Sequence, residues 1–197
     1  MEYDPIAKEI KLEKVLNELD KLVIDFTELL DEYVIVSGYV SILLGRSRAS
    51  EDIDLLLPYL EKNHFIQLFE KFYENDFECL NISNAEEAFD LLQKHAIRFA
   101  KKGQPLPNIE FKIIKTELDK FSYDNRIKVI VNFHVLYISP LELQIAFKLY
   151  LGSEKDIEDA RHLYKTFKEK INKEELLYSL EKLNVFEKMR LLENGKH

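Results

Sequence analysis

The sequence predicts an α/β (α+β) fold: a mixed, partly antiparallel sheet flanked by helices, followed by a region of helices alone. Three observations carry that expectation. Short β-branched and apolar runs alternate with stretches of helical periodicity between residues 33 and 138. From residue 139 onward the periodicity is helical, interrupted only by cap and turn residues. Finally, Asp52-Ile53-Asp54 sets two carboxylates two residues apart on an apolar strand, downstream of a small-residue turn at Ser37-Gly38.

The 197 residues suffice for one large domain or two small ones, and 46% apolar with 12% aromatic content is ample for a buried core. No repeat or low-complexity linker interrupts the chain, so the expected division is an α/β core over 1–138 and a helical region packing on it over 139–197. The formal charge of −8 argues against broad attachment to nucleic acid or anionic membrane and leaves room for a local basic cleft. The single Cys79 has no disulfide partner within the chain. No charged-then-apolar leader is read at the N-terminus, and no apolar run approaches roughly 18 residues, so a cytoplasmic protein without membrane contact is expected. Abundant Lys, Glu and Ile without tryptophan fit a heat-adapted protein and an AT-rich genome equally.

Along the chain, Leu12, Val15, Leu16, Leu19, Leu22, Val23, Phe26, Leu29 and Leu30 follow three-and-four spacing and predict one amphipathic helix over 12–31. Tyr33 to Val36 reads as a strand, Ser37-Gly38 as a tight turn, and Val40 to Leu44 as the start of a short helix. Ile53 to Leu57 is a strand closed by Pro58, and His64 to Phe72 aligns Phe65, Leu68, Phe69 and Phe72 on one helical face. Phe77 to Leu80 predicts a strand, and Asn84 with Glu87 three residues on resembles a capping box that opens a helix to about Lys94. Residues 95–102 either extend that helix or form a strand, and the alternation of Ile97 and Phe99 with Arg98 favours strand. Lys102-Gly103, Pro105 and Pro107 then make a hairpin connection into a strand over 108–114, with Glu110 and Lys112 on one face and Ile109, Phe111 and Ile113 on the other. A second hairpin turns at Asn132 between 126–131 and 134–138. Ser139-Pro140 opens a helix to 151, Gly152-Ser153 separates it from a helix over 154–170, and Asn172 caps another through Leu183 before a short terminal one.

The chemistry follows from Asp52 and Asp54. Residues two apart on a strand share a face, and two like charges there resist ionisation unless a cation neutralises them. Hard carboxylate oxygens suit Mg²⁺, which binds one or two protein carboxylates together with water and substrate phosphates. A nucleoside triphosphate is therefore the expected substrate. Glu110 on a neighbouring strand is the candidate third carboxylate, completing the site and assisting deprotonation of an attacking hydroxyl. The Ser37-Gly38 turn offers backbone N–H groups to phosphate at a helix start.

This arrangement resembles the nucleotidyltransferase superfamily, whose pattern is an apolar strand, Gly-Gly or Gly-Ser, a short helix and Asp-x-Asp. Ser37-Gly38, thirteen residues, then Asp52-Ile53-Asp54 fits it, with Ser37 departing from the first glycine, and Ile109-Glu110-Phe111 is similar to the superfamily's third carboxylate. Arg48-Ala49-Ser50-Glu51-Asp52-Ile53-Asp54 is similar to the Arg-x-Ser/Thr-x-Asp-x-Asp run of the abortive-infection toxin type (type IV toxin–antitoxin nucleotidyltransferases) and related stand-alone proteins. Ser139-Pro140-Leu141-Glu142, Lys148 and Lys155-Asp156-Ile157-Glu158-Asp159 resemble their helical segment, so the likeness spans about residues 33–165. It implies catalytic and metal-binding roles for Asp52, Asp54 and Glu110, and phosphate contacts from Ser37, Gly38, Arg48, Ser50 and Lys148. Asp156 and Asp159, one helical turn apart, would orient Lys148 or Arg48. The implied activity is transfer of a nucleoside monophosphate to an acceptor hydroxyl on RNA or protein with Mg²⁺ or Mn²⁺, and the implied partners are an antitoxin or a second copy of the chain.

Plainer readings stand beside these. Asp-x-Asp can be a solvated strand end, Glu110 an edge-strand charge, Lys148 a solvated lysine on a packing helix, and 155–161 an ordinary charged face. His64, His95, His134, His162 and His197 show no ligand spacing for zinc, and Arg98, Lys101 and Lys102 read as a solvated edge before an RNA contact. A non-catalytic nucleotide- or protein-binding module of the same fold is the alternative to an enzyme.

Overall fold

The computed structural model describes residues 1–193; His197 and the end of the expected helical region lie outside the described residues. Among them, nine strands form one mixed sheet: β1 (Glu2–Asp4), β2 (Glu9–Leu12), β3 (Val34–Val36), β4 (Asp52–Leu57), β5 (Phe77–Cys79), β6 (Ile97–Lys101), β7 (Gln104–Ile113), β8 (Ile127–Val131) and β9 (His134–Ile138). The order across the sheet is β1-β2-β8-β9-β3-β4-β7-β6-β5. β4 runs antiparallel to β3 and parallel to β7, and β6 and β7 form an antiparallel hairpin. The α/β expectation thus holds.

The register explains the two faces. Ile53, Leu55, Ile109, Phe111, Ile97 and Phe99 are fully buried on one side of β4, β7 and β6. Helices α1 (Glu18–Thr27), α3 (Lys62–Glu74) and α4 (Ala85–Leu92) belong to that core: Phe26 stacks on Phe72 with centroids 4.5 Å apart, and Phe99 lies 4.7 Å from Phe72 and 5.6 Å from Phe111. Buried aromatic pairs of this kind add to the stability that their area burial already supplies. The alternate residues Asp54, Leu56, Glu110, Lys112 and Arg98 share the opposite face, because side chains of neighbouring strands in register point the same way.

Three expectations change. The helix read over 12–31 starts only at Glu18: Leu12 pairs with Val131 at the end of β2, and Val15 is 94% exposed. A capping box decides the boundary, with the Asn17 side chain accepting from the Asp20 N–H while the Asp20 carboxylate accepts from the Asn17 N–H. β1 and β2 extend the sheet where no strand was read, and Glu117–Asp124 forms α5, opened by the capping box of Thr116 and Asp119. Residues 97–101 are strand rather than helix, as the alternation favoured.

Beyond the sheet, α6 (Leu141–Leu151), α7 (Glu154–Phe167) and α8 (Lys173–Lys182) are followed by a 3₁₀ turn (Phe186–Met189) and a last short helix. Gly152 takes the left-handed conformation that ends α6, and the Ser153 side chain caps α7 by accepting from the Asp156 N–H. α2 (Gly38–Leu43) links β3 to the loop before β4 and touches α7. No helix among the described residues is long and apolar enough to cross a membrane.

Candidate active site

Asp54 on β4 and Glu110 on β7 are direct register partners, and Glu110 is in turn paired with Arg98 on β6, so one row across three strands carries two acids and one base. Lys112, two residues beyond Glu110, turns onto the same face. Its Nζ donates to Asp54 Oδ1 at 2.5 Å and lies 2.6 Å from Glu110 Oε2, while Arg98 Nη2 lies 2.5 Å from Glu110 Oε1. Burial raises the pKa of Asp54 despite Lys112. For Glu110 burial acts in the same direction, but the contacts to Lys112, Asp54 and Arg98 outweigh it and hold the group at about 2. Neighbouring carboxylates split in this way because both cannot ionise at equal cost.

Of the three carboxylates expected to form the site, register brings Asp54 and Glu110 together. Asp52 stands at the exposed first position of β4, where its Oδ1 is 3.4 Å from Ser50 Oγ, and among the described residues no three acidic, His or Cys side chains converge on a metal-sized site. The strand geometry that aligns Asp52 with Asp54 also separates them by about 7 Å. As donors, Asp54 and Glu110 fit a hard divalent ion, with Lys112 standing between them.

Ser37 follows β3 and caps α2 with φ 64° and ψ −134°, a backbone region that glycine visits freely and other residues rarely do. Gly38 begins α2 and is packed beneath Arg48: a Cβ at Gly38 would lie 2.5 Å from Arg48 Nη2 and 3.5 Å from Ser50 Oγ. Four of the expected phosphate contacts, Ser37, Gly38, Arg48 and Ser50, are therefore neighbours. A cavity of about 290 Å³ opens beside Asp54 and Ser37, lined also by Leu56, Lys112, Gln144 and Phe147. Among the described residues, the buried Gln144 Oε1 has no hydrogen-bond partner. Neither Gln144 nor Lys112 was singled out from the sequence as a site residue. The alternation that put Lys112 on the Glu110 face was a signal for Lys112, whereas Gln144 sits among apolar helix positions with nothing to mark it.

Lys148 differs from its expected role at the phosphates. It is 2% exposed, donates to Asp156 Oδ1 at 2.7 Å and lies 3.2 Å from Asp159 Oδ2. Arg48 closes the other side of Asp159 through two bonds, Nε at 3.0 Å and Nη2 at 2.9 Å. Lys148 and Ser153 hold Asp156 below its ordinary pKa against the opposing effect of burial. The result is a buried chain Arg48–Asp159–Lys148–Asp156 that joins the loop before β4 to α6 and α7.

No family model matches the sequence, and no curated protein matches it. Among solved structures, the crystal structure of an antigenic nucleotidyltransferase-like protein from Paracoccidioides brasiliensis superposes with a TM-score of 0.52 at 18% identity, over 87% of this chain and 88% of that one. At that identity the likeness is one of fold, and the fold of this chain is nucleotidyltransferase-like.

Proposed function

We propose that the chain is a nucleotidyltransferase that moves a nucleoside monophosphate from a nucleoside triphosphate to an acceptor hydroxyl. The observation that carries this reading is the pairing of Asp54 with Glu110 beside the Ser37-Gly38 turn and an open cavity, on a nucleotidyltransferase-like fold. In the reaction the acceptor oxygen bonds to the α-phosphorus, the bond to the departing pyrophosphate breaks, and the hydroxyl proton passes to a base. Glu110 is the residue proposed to assist that deprotonation.

Asp54 and Glu110 are the residues proposed to hold Mg²⁺ or Mn²⁺, with Asp52 at the outer end. Such an ion, when bound, supplies Lewis-acid stabilisation of phosphoryl charge. The Ser37-Gly38 turn and Arg48 bind phosphate oxygens in this reading, and Lys148 acts through Asp159 by fixing Arg48. The cavity takes the nucleoside: at about 290 Å³ it falls just below the roughly 300–1,000 Å³ typical of ligand pockets. Leu56 and Phe147 offer apolar faces to a base.

The likeness of Arg48–Asp54 and of 139–159 to the abortive-infection toxin type makes an RNA or protein hydroxyl the proposed acceptor, and an antitoxin or a second copy the proposed partner. One observation favours the non-catalytic module instead: Lys112 already neutralises the carboxylate pair. Incubation with each labelled nucleoside triphosphate and Mg²⁺, with total RNA or lysate as acceptor, separates the two. Label on an acceptor together with released pyrophosphate supports the enzyme, and binding without release supports the module. Asp54→Asn should reduce transfer at least about a hundredfold with an unchanged circular dichroism spectrum. Retained turnover would refute the assignment.

A further inference from the structure

The row Asp54, Glu110 and Arg98 with Lys112 contains two negative and two positive groups, with Lys112 touching both carboxylates and Arg98 touching Glu110. A bare pair of facing carboxylates recruits a cation because nothing else relieves its repulsion. Here that relief is internal. An ammonium at 2.5 Å from one carboxylate and 2.6 Å from the other stands where a bridging ion would make its bonds, and the two cannot share the place.

Lys112 is nevertheless free to leave. Its side chain is 36% exposed, on a flexible four-carbon stem, and it borders the open cavity that also touches Ser37. A triphosphate entering that cavity brings several negative charges and gives Lys112 a new partner at the moment the carboxylates need a new cation. We propose that Lys112 is an internal counter-ion that closes the Asp54–Glu110 pair to free divalent ions, so that the ion enters only together with a nucleotide's phosphates. Ion and nucleotide then bind with positive coupling, each raising the other's affinity by the same factor, as linkage requires. This rests on the reading of Asp54 and Glu110 as the metal-binding pair, but its test requires no turnover.

The experiment is a titration of the full chain with Mn²⁺ alone, with bound ion followed by electron paramagnetic resonance, and a second titration in the presence of an α,β-methylene nucleoside triphosphate. Lys112→Met should bind free Mn²⁺ at least about tenfold more tightly than the wild type, because a positive charge in contact with both carboxylates has been removed. Adding Asp54→Asn to that variant should abolish the gain. Lys112→Arg should restore the weak binding, and Lys112→Gln, which keeps a polar group on the strand, should repeat the gain if Lys112→Met fails to fold. The nucleotide analogue should strengthen Mn²⁺ binding more in the wild type than in Lys112→Met. Equal affinity for free Mn²⁺ in wild type and both neutral variants overturns the proposal, as does a gain that survives loss of Asp54. If no nucleotide is transferred yet Lys112→Met gains affinity, the enzyme reading falls and the counter-ion stands; transfer without any gain removes the counter-ion alone.

Discussion

Ser37 sits in a glycine-like conformation at the point where the nucleotidyltransferase pattern has its first glycine. A residue held there carries a strain of roughly 1–3 kcal/mol, whereas glycine adds roughly 0.5–1 kcal/mol of unfolded-state entropy. The strain is the larger effect. Ser37→Gly should therefore stabilise the protein by about 1 kcal/mol, read as a higher urea midpoint at unchanged slope. An unchanged or lower midpoint would mean that the serine side chain makes a compensating contact.

At the scale of elements, α6 and α7 pack on each other and are tied at their shared turn by Lys148, Asp156 and Ser153. The folded-state pKa of Asp156 lies below its ordinary value of 3.8. Between the two values the unfolded chain binds more protons, so stability rises with pH there. The contribution of Asp156 is complete above about pH 4 and is lost as pH falls toward its folded value. Asp156→Asn should lower stability at pH 7 and flatten the fall in stability below about pH 4. Urea denaturation at a series of pH values reads both effects, and a parallel curve for the variant would show that Asp156 gains nothing from Lys148.

Across the whole molecule, Arg48 and Asp159 tie the β-sheet half to the helical half, 111 residues apart in sequence. Asp159 is fully buried against Arg48 and Lys148, which are themselves 10% and 2% exposed, with Arg46 Nε 3.7 Å away, so its removal strands positive charge in the interior. Breaking a buried pair in this way costs roughly 3–5 kcal/mol. Asp159→Asn should show a loss of that size, with far- and near-ultraviolet dichroism still reporting one transition, since α6 and α7 pack on the same core. A separate early transition of helical signal would mean that the two halves fold independently.

The sequence by itself determined the elements whose period was unambiguous: β4 and β7 with their alternating faces, the phenylalanine face of α3, and the helices after residue 139. It also placed Asp52 with Asp54 on one face of β4 and Glu110 with Lys112 on one face of β7, because a strand's two-residue repeat is a local property. Periodicity misled at 12–17, where Leu12, Val15 and Leu16 satisfy helical spacing while Leu12 pairs with Val131, and it said little about α5, whose only buried residue is Ser122. In both places the cue was a cap with aspartate at the third helical position, Asn17 to Asp20 and Thr116 to Asp119. Which side chains meet was left to the tertiary structure. Only strand order and register could bring Lys112 and Arg98 onto the Asp54–Glu110 pair, leave Asp52 outside it, and bury Lys148 between two aspartates. Contacts of this kind depend on chain segments far apart in sequence, and no local pattern encodes them.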